Sequence, residues 1–165
     1  GEFEKYSFEE TQKMMQVNMN ALVESCYRFY PMLSGKGQAY VLNIASSTAY
    51  QAIPLMSVYA ASKVFVLNFS RGLFHEWKAK GISVTAVSPG ATTTNFNDRA
   101  NLPAKASKAA EKVTMTPAVV AKLALNGMFA KKQEVITGFI NKLGAFLAWV
   151  APKAISEKVA KGIYE

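Results

Sequence analysis

Apolar residues recur every three or four positions in two long stretches of the chain, a spacing typical of helices that pack against a core. The first stretch covers residues 7–33, where Ser7 followed by glutamates predicts a helix start and Pro31 marks the end. The second stretch covers residues 57–79 and ends before Gly81. We therefore predict one long helix in each stretch.

Three short runs rich in apolar and β-branched residues predict strands. They are AYVLNIA (39–45), ISVTAVS (82–88) and EVITGF (134–139). Thr116 and Pro117 predict the start of a helix that reaches about Lys131, and apolar residues mixed with lysines predict helices over residues 140–165. Because strands alternate with helices, the predicted fold class is α/β, with about three parallel strands and flanking helices.

Size and composition indicate a single domain over residues 1–165. Half of the residues (50%) are hydrophobic and 18% are charged, so the chain can bury one sizeable core. No apolar run reaches the length of about 18 residues that a transmembrane helix needs, and no secretory signal is visible at the start. The single cysteine, Cys26, cannot form an internal disulfide, so a cytoplasmic location is expected.

The net charge of +8 is concentrated in the C-terminal part of the chain. Residues 101–165 carry ten lysines and four glutamates, whereas residues 1–100 carry nine basic and seven acidic residues. These lysines stand singly among apolar residues, without the interleaved arginines and aromatics of a nucleic-acid-binding surface. A solvated helical face is therefore favoured over contact with an acidic surface or an anionic cosubstrate. His75 is expected at the surface, and no metal-ligand cluster joins it.

Tyr59 and Lys63 lie four positions apart in the second predicted helix and therefore share one helix face. A free tyrosine has a pKa of about 10 and exchanges protons poorly at neutral pH, but a nearby ammonium lowers that pKa. A serine beside the phenol could hold the substrate oxygen, and Ser46 and Ser47 follow the first strand, at the sheet edge where ligands bind. A Tyr and Lys at this spacing are also common on helices without a catalytic role.

Four segments together resemble the short-chain dehydrogenase/reductase family. They are NMNAL from Asn18, NIASS with Ser46 thirteen positions before Tyr59, YAASK from Tyr59 to Lys63, and VSPGATTT over residues 87–94. The resemblance runs from about residue 1 to at least residue 96, and residues 135–152 resemble the end of ketoacyl-reductase and hydroxysteroid-dehydrogenase-like members. It implies reduction of a carbonyl or oxidation of a secondary alcohol with NADP or NAD, and possible substrates include ketoacyl and similar hydrophobic compounds.

The resemblance also implies a role for each matching residue. Tyr59 is expected to be the general acid or base, and Lys63 to lower the Tyr59 pKa and hold the nicotinamide ribose. Ser46 is expected to orient the substrate oxygen, and Asn18 to hold a water that continues the proton path behind Lys63. Ser47 competes with Ser46 for its role, but the spacing to Tyr59 favours Ser46.

Further segments match parts of the family that contact the cofactor, the substrate or another subunit. Pro89, Gly90, Thr92 and Thr94 match the loop that flanks the nicotinamide, with Thr94 placed to meet its carboxamide. Residues 95–115 match the mobile loop that closes over substrate, although their composition also suits plain disorder. The helices over 7–33 and 57–79 match those that pair subunits, so a homo-oligomer is expected.

A dinucleotide-binding half would contain a glycine-rich turn between a strand and a helix start, and the chain has no such turn. Gly35 and Gly37 form a lone GxG between a helix and a strand, the reverse order, and are expected in a turn. We therefore expect the C-terminal part of a Rossmann-type doubly wound parallel sheet, as a fragment of an oxidoreductase without the preceding βαβαβ half. The 165 residues alone are expected to bind NADPH negligibly.

Two other functions stay open. A truncated, non-catalytic homologue would act as an assembly partner through the helices over 7–33 and 57–79. Alternatively, the C-terminal segment would bind a membrane surface through apolar residues flanked by lysines: Phe146, Leu147, Trp149 and Val150, with Lys142 and Lys153. Burial of these apolar side chains against the protein's own substrate pocket is favoured over membrane contact.

Overall fold

The computed structural model describes residues 2–94, 104–111 and 113–164. The strands are β1 (Ala39–Ile44), β2 (Ile82–Ser88) and β3 (Glu134–Ile136). The α-helices are α1 (Phe8–Met15), α2 (Ala21–Leu33), α3 (Ser57–Lys78), α4 (Ala104–Glu111), α5 (Pro117–Phe129), α6 (Phe139–Val150) and α7 (Lys153–Tyr164). Short 3-10 helices cover Phe3–Lys5 and Ser47–Tyr50, and Gln16–Asn20 form a π-helical turn between α1 and α2.

The three described strands form one parallel sheet in the order β1, β2, β3, which confirms the predicted α/β fold. β1 and β2 pair over six residues, from Ala39 opposite Ile82 to Ile44 opposite Val87. Every residue of β2 is buried, as expected for a central parallel strand covered on both faces. β1 lies at one edge of the described sheet, and Ile44 at its end is 53% exposed.

The helix predicted over residues 7–33 is present, but a π-helical turn interrupts its middle. Ser7 caps the start, because its hydroxyl accepts a hydrogen bond from the Glu10 amide at 3.2 Å and the Glu10 carboxylate accepts one from the Ser7 amide at 2.9 Å. Pro31 lies inside the last turn of α2, which continues to Leu33. The π-helical turn carries Asn18, and its extra residue shifts the direction of the side chains in that turn.

The core lies between the sheet and the helices on its two faces. Leu73 of α3 and Cys26 of α2 pack against Val84 of β2 on one face, and the Cys26 thiol is free and buried. On the other face the ring of Tyr40 meets that of Phe129 of α5, with the ring centroids 5.3 Å apart. The long helix α3 therefore has a fixed position along the central strand, and this fixes the side chains of its first turns.

Two segments differ from the sequence prediction. The strand predicted over residues 134–139 ends at Ile136, because Gly138 adopts a φ of 81° and α6 begins at the next residue. Within residues 95–115, α4 is a helix and Met115 pairs with Thr92. Residues 95–103 and 112 lie outside the described residues, so the mobility of this loop stays a prediction.

Candidate functional site

The carboxyl ends of β1 and β2 lie side by side and open into a cavity of about 230 Å³. Two backbone hydrogen bonds hold these ends together: Ala45 donates to Val87, and Ser47 donates to Pro89, both at 2.7 Å. The lining of this cavity, called the catalytic cavity below, includes Ser46, Ser47, Thr48, Tyr59, Lys63, Pro89, Gly90, Thr92 and Thr94. It thus contains every predicted site residue except Asn18.

Ser46 begins the 3-10 helix that follows β1. Its hydroxyl oxygen accepts a hydrogen bond from the Thr48 amide at 3.1 Å, and the residue is buried. Because the oxygen accepts this bond, the hydroxyl proton can be donated to a ligand oxygen. The side-chain oxygen of Thr48 is buried and has no hydrogen-bond partner within the described ranges. Ser47 also lines the cavity, so its position does not eliminate it as the competitor of Ser46.

Tyr59 and Lys63 lie in the first two turns of α3, on one face of the helix. The Lys63 Nζ atom is 5.7 Å from the centroid of the Tyr59 ring and donates a hydrogen bond to the carbonyl oxygen of Ile44 at 3.0 Å. At this distance the ammonium acts electrostatically on the aromatic ring. Burial lowers the pKa of Lys63 below its ordinary value of 10.5. The Lys63 side chain therefore ties α3 to the end of β1 at a cost in desolvation.

Replacing Lys63 with Met is expected to stabilise the fold at pH 7. Since the pKa of Lys63 is lowered in the folded chain, folding disfavours the ammonium, and this penalty is fully present below the folded-state pKa. The penalty disappears as the pH rises through the folded-state pKa of Lys63 towards 10.5. The extra stability of the Lys63→Met variant should therefore decrease over this pH range. Urea unfolding at neutral and alkaline pH measures this, with exposed Lys80→Met as the control. A less stable Lys63→Met variant at pH 7 would show that the hydrogen bond to Ile44 outweighs desolvation.

The loop after β2 is held in place by hydrogen bonds to its own backbone and to Met115. The Thr92 hydroxyl donates to the carbonyl oxygen of Gly90 at 3.1 Å, and that of Thr94 donates to the carbonyl oxygen of Thr92 at 3.4 Å. Met115 donates its amide to Ala91 and accepts a hydrogen bond from the Thr93 amide, both at 3.0 Å. Both predicted threonines therefore stand on a loop of defined shape at the wall of the catalytic cavity.

Gly90 lies directly against the side chain of Asn141 in α6. A Cβ atom at this position would collide with the side-chain amide of Asn141, which donates a hydrogen bond to the carbonyl oxygen of Thr137 at 2.7 Å. The glycine thus allows α6 to pack directly on the loop after β2.

Asn18 lies outside the catalytic cavity. Its side-chain amide donates to the hydroxyl of Ser62 at 2.9 Å, and that hydroxyl donates to the carbonyl oxygen of Tyr59 at 2.7 Å. The π-helical turn is therefore connected to the first turns of α3 through the fully buried Ser62. This contact gives Asn18 a structural link to Tyr59, and its role as the holder of a water stays a prediction.

A second, larger cavity of about 770 Å³ opens between the N-terminal residues, α1 and the start of α3. Its lining is mainly apolar and includes Phe3, Tyr6, Met14, Val17, Asn18, Leu55, Met56, Val58 and Tyr59. Tyr59 and Met56 line both cavities. Leu55 has a φ of 64°, an unusual conformation for a leucine, directly before Met56. Sequence reasoning missed this apolar cavity, because its walls come from segments without a common pattern.

Sequence reasoning also missed a polar contact that fixes the 3-10 helix of the site. The hydroxyl of Tyr50 donates to the carboxylate of Glu134, which lies 84 positions later in the chain, and the Arg71 guanidinium is 3.9 Å from the same carboxylate. Burial and the neighbouring Glu134 raise the pKa of Tyr50 well above its ordinary value of 10.0. No motif marks either residue, so only the pairing of β2 with β3 reveals the contact.

Several sequence expectations concern residues or ligands outside the two cavities. His75 is exposed, as expected, and lies 3.1 Å from the side-chain nitrogen of Gln133. Within the part of the chain that the structure describes, no three His, Cys, Asp or Glu residues are grouped to hold a metal ion. No helix in those same ranges has the length and apolar character that crossing a membrane requires.

Comparison with known proteins gives consistent matches. The sequence model described as short chain dehydrogenase matches residues 1–105. The very-long-chain 3-oxoacyl-CoA reductase of Anas platyrhynchos is 38% identical over 77 residues, which are 47% of this chain and 25% of that protein. The 17-beta-hydroxysteroid dehydrogenase type 3 of Danio rerio is 35% identical over 81 residues, which are 49% of this chain and 26% of that protein. The match thus spans about a quarter of the length of these curated relatives.

The fold is also similar to that of solved structures. A short-chain dehydrogenase from Sphingobium yanoikuyae, solved in complex with NADPH, superimposes with a TM-score of 0.74 and 26% identity. The superposition covers 93% of this chain and 62% of the solved chain. The similarity in structure therefore extends well beyond the segments that the sequence comparisons match.

Proposed function

Since the chain belongs to the short-chain dehydrogenase family, we propose that it supplies the proton-transfer site of an oxidoreductase that interconverts a carbonyl and a secondary alcohol. One observation supports this most: a single cavity is lined by Ser46, Tyr59 and Lys63 together with the loop after β2. These residues come from three different elements, so their meeting is a property of the fold. The assembly-partner alternative is not favoured, because it gives this grouping no role.

In the proposed reduction, the Tyr59 hydroxyl gives its proton to the substrate oxygen, and in the reverse direction the Tyr59 phenolate takes the proton back. The Lys63 ammonium, 5.7 Å from the Tyr59 ring centroid, favours the phenolate that this exchange leaves behind. The Ser46 hydroxyl donates a hydrogen bond to the substrate oxygen and holds it beside Tyr59. Proton transfer of this kind contributes about 10²- to 10⁴-fold to the rate.

The donor set of the catalytic cavity fits the nicotinamide and ribose end of NADP or NAD. It offers an ammonium at Lys63, hydroxyls at Thr92 and Thr94, and the buried side-chain oxygen of Thr48, which has no partner in the described chain. When bound, the nicotinamide would supply or accept the hydride. The Sphingobium structure holds NADPH, and this favours NADP as the cofactor of our proposal.

The larger cavity supports an apolar substrate. Its lining is mostly apolar, its volume is about 770 Å³, and it shares Tyr59 with the catalytic cavity. A substrate whose carbonyl lies at Tyr59 could therefore place a long apolar group between α1 and the start of α3. Two relatives are named for substrates with large apolar groups, a very-long-chain 3-oxoacyl-CoA and a hydroxysteroid. We propose a ketoacyl or similarly hydrophobic carbonyl compound as the substrate.

Replacing Ser46 with Ala tests the proposed function. We expect turnover by the whole protein, measured as NADPH absorbance lost with hydrophobic ketones, to fall about 100-fold, because the substrate oxygen loses its positioning donor. Ser47→Ala is the matched control and should retain most of the activity. If Ser47→Ala has the larger effect, Ser47 takes the role assigned to Ser46. If the whole protein turns over no carbonyl or alcohol with either nicotinamide cofactor, the proposed function is wrong.

The homo-oligomer expected through the helices over 7–33 and 57–79 stays a prediction. Three large apolar side chains of α2 favour a contact with another subunit, because they are exposed: Tyr27 (81%), Phe29 (54%) and Met32 (58%).

A further inference from the structure

The helices α6 and α7 pack on the rest of the fold through small side chains. α6 buries Ala148 and half-buries Ala145, while α7 buries Ser156 and Ala160. The large apolar side chains that the structure describes in both helices are exposed instead: Phe139, Ile140, Leu143, Phe146, Leu147, Trp149, Val150, Ile155 and Val159. A surface helix usually buries its large apolar side chains against the core, so α6 and α7 show the opposite arrangement. It also contradicts the expectation that Phe146, Leu147, Trp149 and Val150 are buried in the protein's own pocket.

The exposed residues of α6 form one continuous stripe along the helix. Its members recur at helical spacing: Phe139, Ile140, Leu143, Phe146, Leu147 and Val150. Trp149, which is 78% exposed, widens this apolar stripe, and its ring centroid is 6.4 Å from that of Phe146. Removing apolar side chains from water is favourable, so the whole stripe favours contact with an apolar medium.

Exposed lysines accompany the apolar stripe on α6 and α7. The charged residues in the described range 139–164 are four lysines and one glutamate, all exposed: Lys142, Lys153, Lys158, Lys161 and Glu157. A second copy of this chain on the same face would bring these lysines against their own counterparts, which repel one another. A partner with anionic groups at its surface and an apolar layer beneath them would neutralise the lysines and cover the apolar stripe at the same time.

We propose that α6 and α7 bind the surface of a lipid bilayer that contains anionic lipids. The apolar stripe would enter the boundary between headgroups and acyl chains, and the lysines would contact the headgroups. α6 has 12 residues and is therefore about 18 Å long, too short for a hydrocarbon core of about 30 Å, so it would lie along the membrane. Trp149 suits the interfacial level, where an aromatic ring meets water and lipid together.

The membrane-binding face adjoins the candidate site. The inner side of α6, through Asn141, Gly144 and Ala145, shares a cavity of about 340 Å³ with Ser47 and Thr48. A chain docked through the outer side of α6 would therefore hold its catalytic cavity close to the bilayer. Binding to the bilayer does not depend on the proposed function, and it is measured without turnover.

Cosedimentation of the full 165-residue chain with lipid vesicles tests the proposal. We expect the chain to sediment with phosphatidylcholine vesicles that contain about 30% phosphatidylserine, and to bind pure phosphatidylcholine at least about fivefold more weakly. Raising the salt to about 0.5 M should weaken the anionic preference, because the lysines are screened. Absence of binding to both kinds of vesicle at low salt overturns the proposal.

Two pairs of variants localise the binding. Phe146→Gln with Trp149→Gln should weaken vesicle binding about tenfold or more, whereas Val119→Gln with Leu125→Gln, on exposed positions of α5, should leave it unchanged. Lys142→Glu with Lys158→Glu should remove the preference for anionic vesicles, and Lys36→Glu with Lys122→Glu is the matched control. Equal losses in a variant and its control overturn the proposal.

Light scattering without lipid separates the membrane from a protein partner. If the chain forms an oligomer that Phe146→Gln with Trp149→Gln dissociates, the apolar stripe is an interface between copies of the chain, and the membrane proposal is wrong. All substitutions lie at exposed positions, and circular dichroism confirms that each variant is folded before binding is measured.

Discussion

Replacing Tyr59 with Phe is expected to lower turnover about a thousandfold while the free energy of unfolding stays nearly the same. The variant keeps the aromatic ring, which packs beside Met56 and Ala60. It removes the hydroxyl that would exchange a proton with the substrate oxygen, and no water at pH 7 replaces a positioned acid efficiently. Steady-state NADPH oxidation by the whole protein with a hydrophobic ketone, together with urea unfolding, measures both quantities.

Tyr27→Phe is the matched control for this substitution. Tyr27 is 81% exposed on α2, so the same loss of a hydroxyl there should change neither turnover nor stability. The comparison tests whether the hydroxyl of Tyr59 is needed for chemistry. Activity of the Tyr59→Phe variant within tenfold of the unchanged protein would exclude Tyr59 as the general acid.

Replacing Gly81 with Ala is expected to be the most destabilising of the substitutions considered, by about 3 kcal/mol or more. Gly81 has a φ of 74°, a conformation that costs an alanine about 1–2 kcal/mol. In addition, a Cβ atom would collide with the backbone carbonyl oxygen of Gly37, and a backbone group cannot move aside as a side chain can. The carbonyl of Gly81 also accepts a hydrogen bond from Ala39 at 2.9 Å, where β1 and β2 begin to pair.

Gly35→Ala separates the two causes. Gly35 has a similar φ of 78°, but nothing lies within 4 Å of the position of its Cβ atom. Its replacement should therefore cost only the conformational part, about 1–2 kcal/mol. Urea unfolding of both variants gives the difference, and equal losses would show that the contact with Gly37 is relieved without cost.

The residues that could be predicted from the sequence are those whose patterns are local. The run ISVTAVS was predicted as a strand with the bounds that β2 has, because seven consecutive strand-forming residues are bounded by Gly81 and Pro89. Ser7 was correctly predicted as a helix start, and Tyr59 and Lys63 as neighbours on one helix face. The residues after β1 and the loop after β2 lie together, as expected from the rule that the carboxyl ends of parallel strands share one edge of the sheet.

The features that could not be predicted depend on contacts between distant segments. The π-helical turn at Asn18 leaves the apolar spacing of the sequence almost unchanged, so it looks like ordinary helix. The contact of Tyr50 with Glu134 and the apolar cavity beside Tyr59 are formed by residues far apart in the chain. For α6, the sequence showed which residues are apolar, but the side that faces the protein is decided by Ala145 and Ala148, whose small size permits close packing.

The two hydrogen bonds that join the ends of β1 and β2 make the candidate site dependent on the order of folding. Ala45 and Ser47 find their partners, Val87 and Pro89, only after the chain of α3 has been folded back over the sheet. Contacts between such distant residues form slowly, since the intervening loop must first be closed. We therefore expect the candidate site to assemble late and to open with the sheet as one cooperative unit, so amide hydrogen exchange at Ala45 and Ser47 should follow the integrity of the site itself.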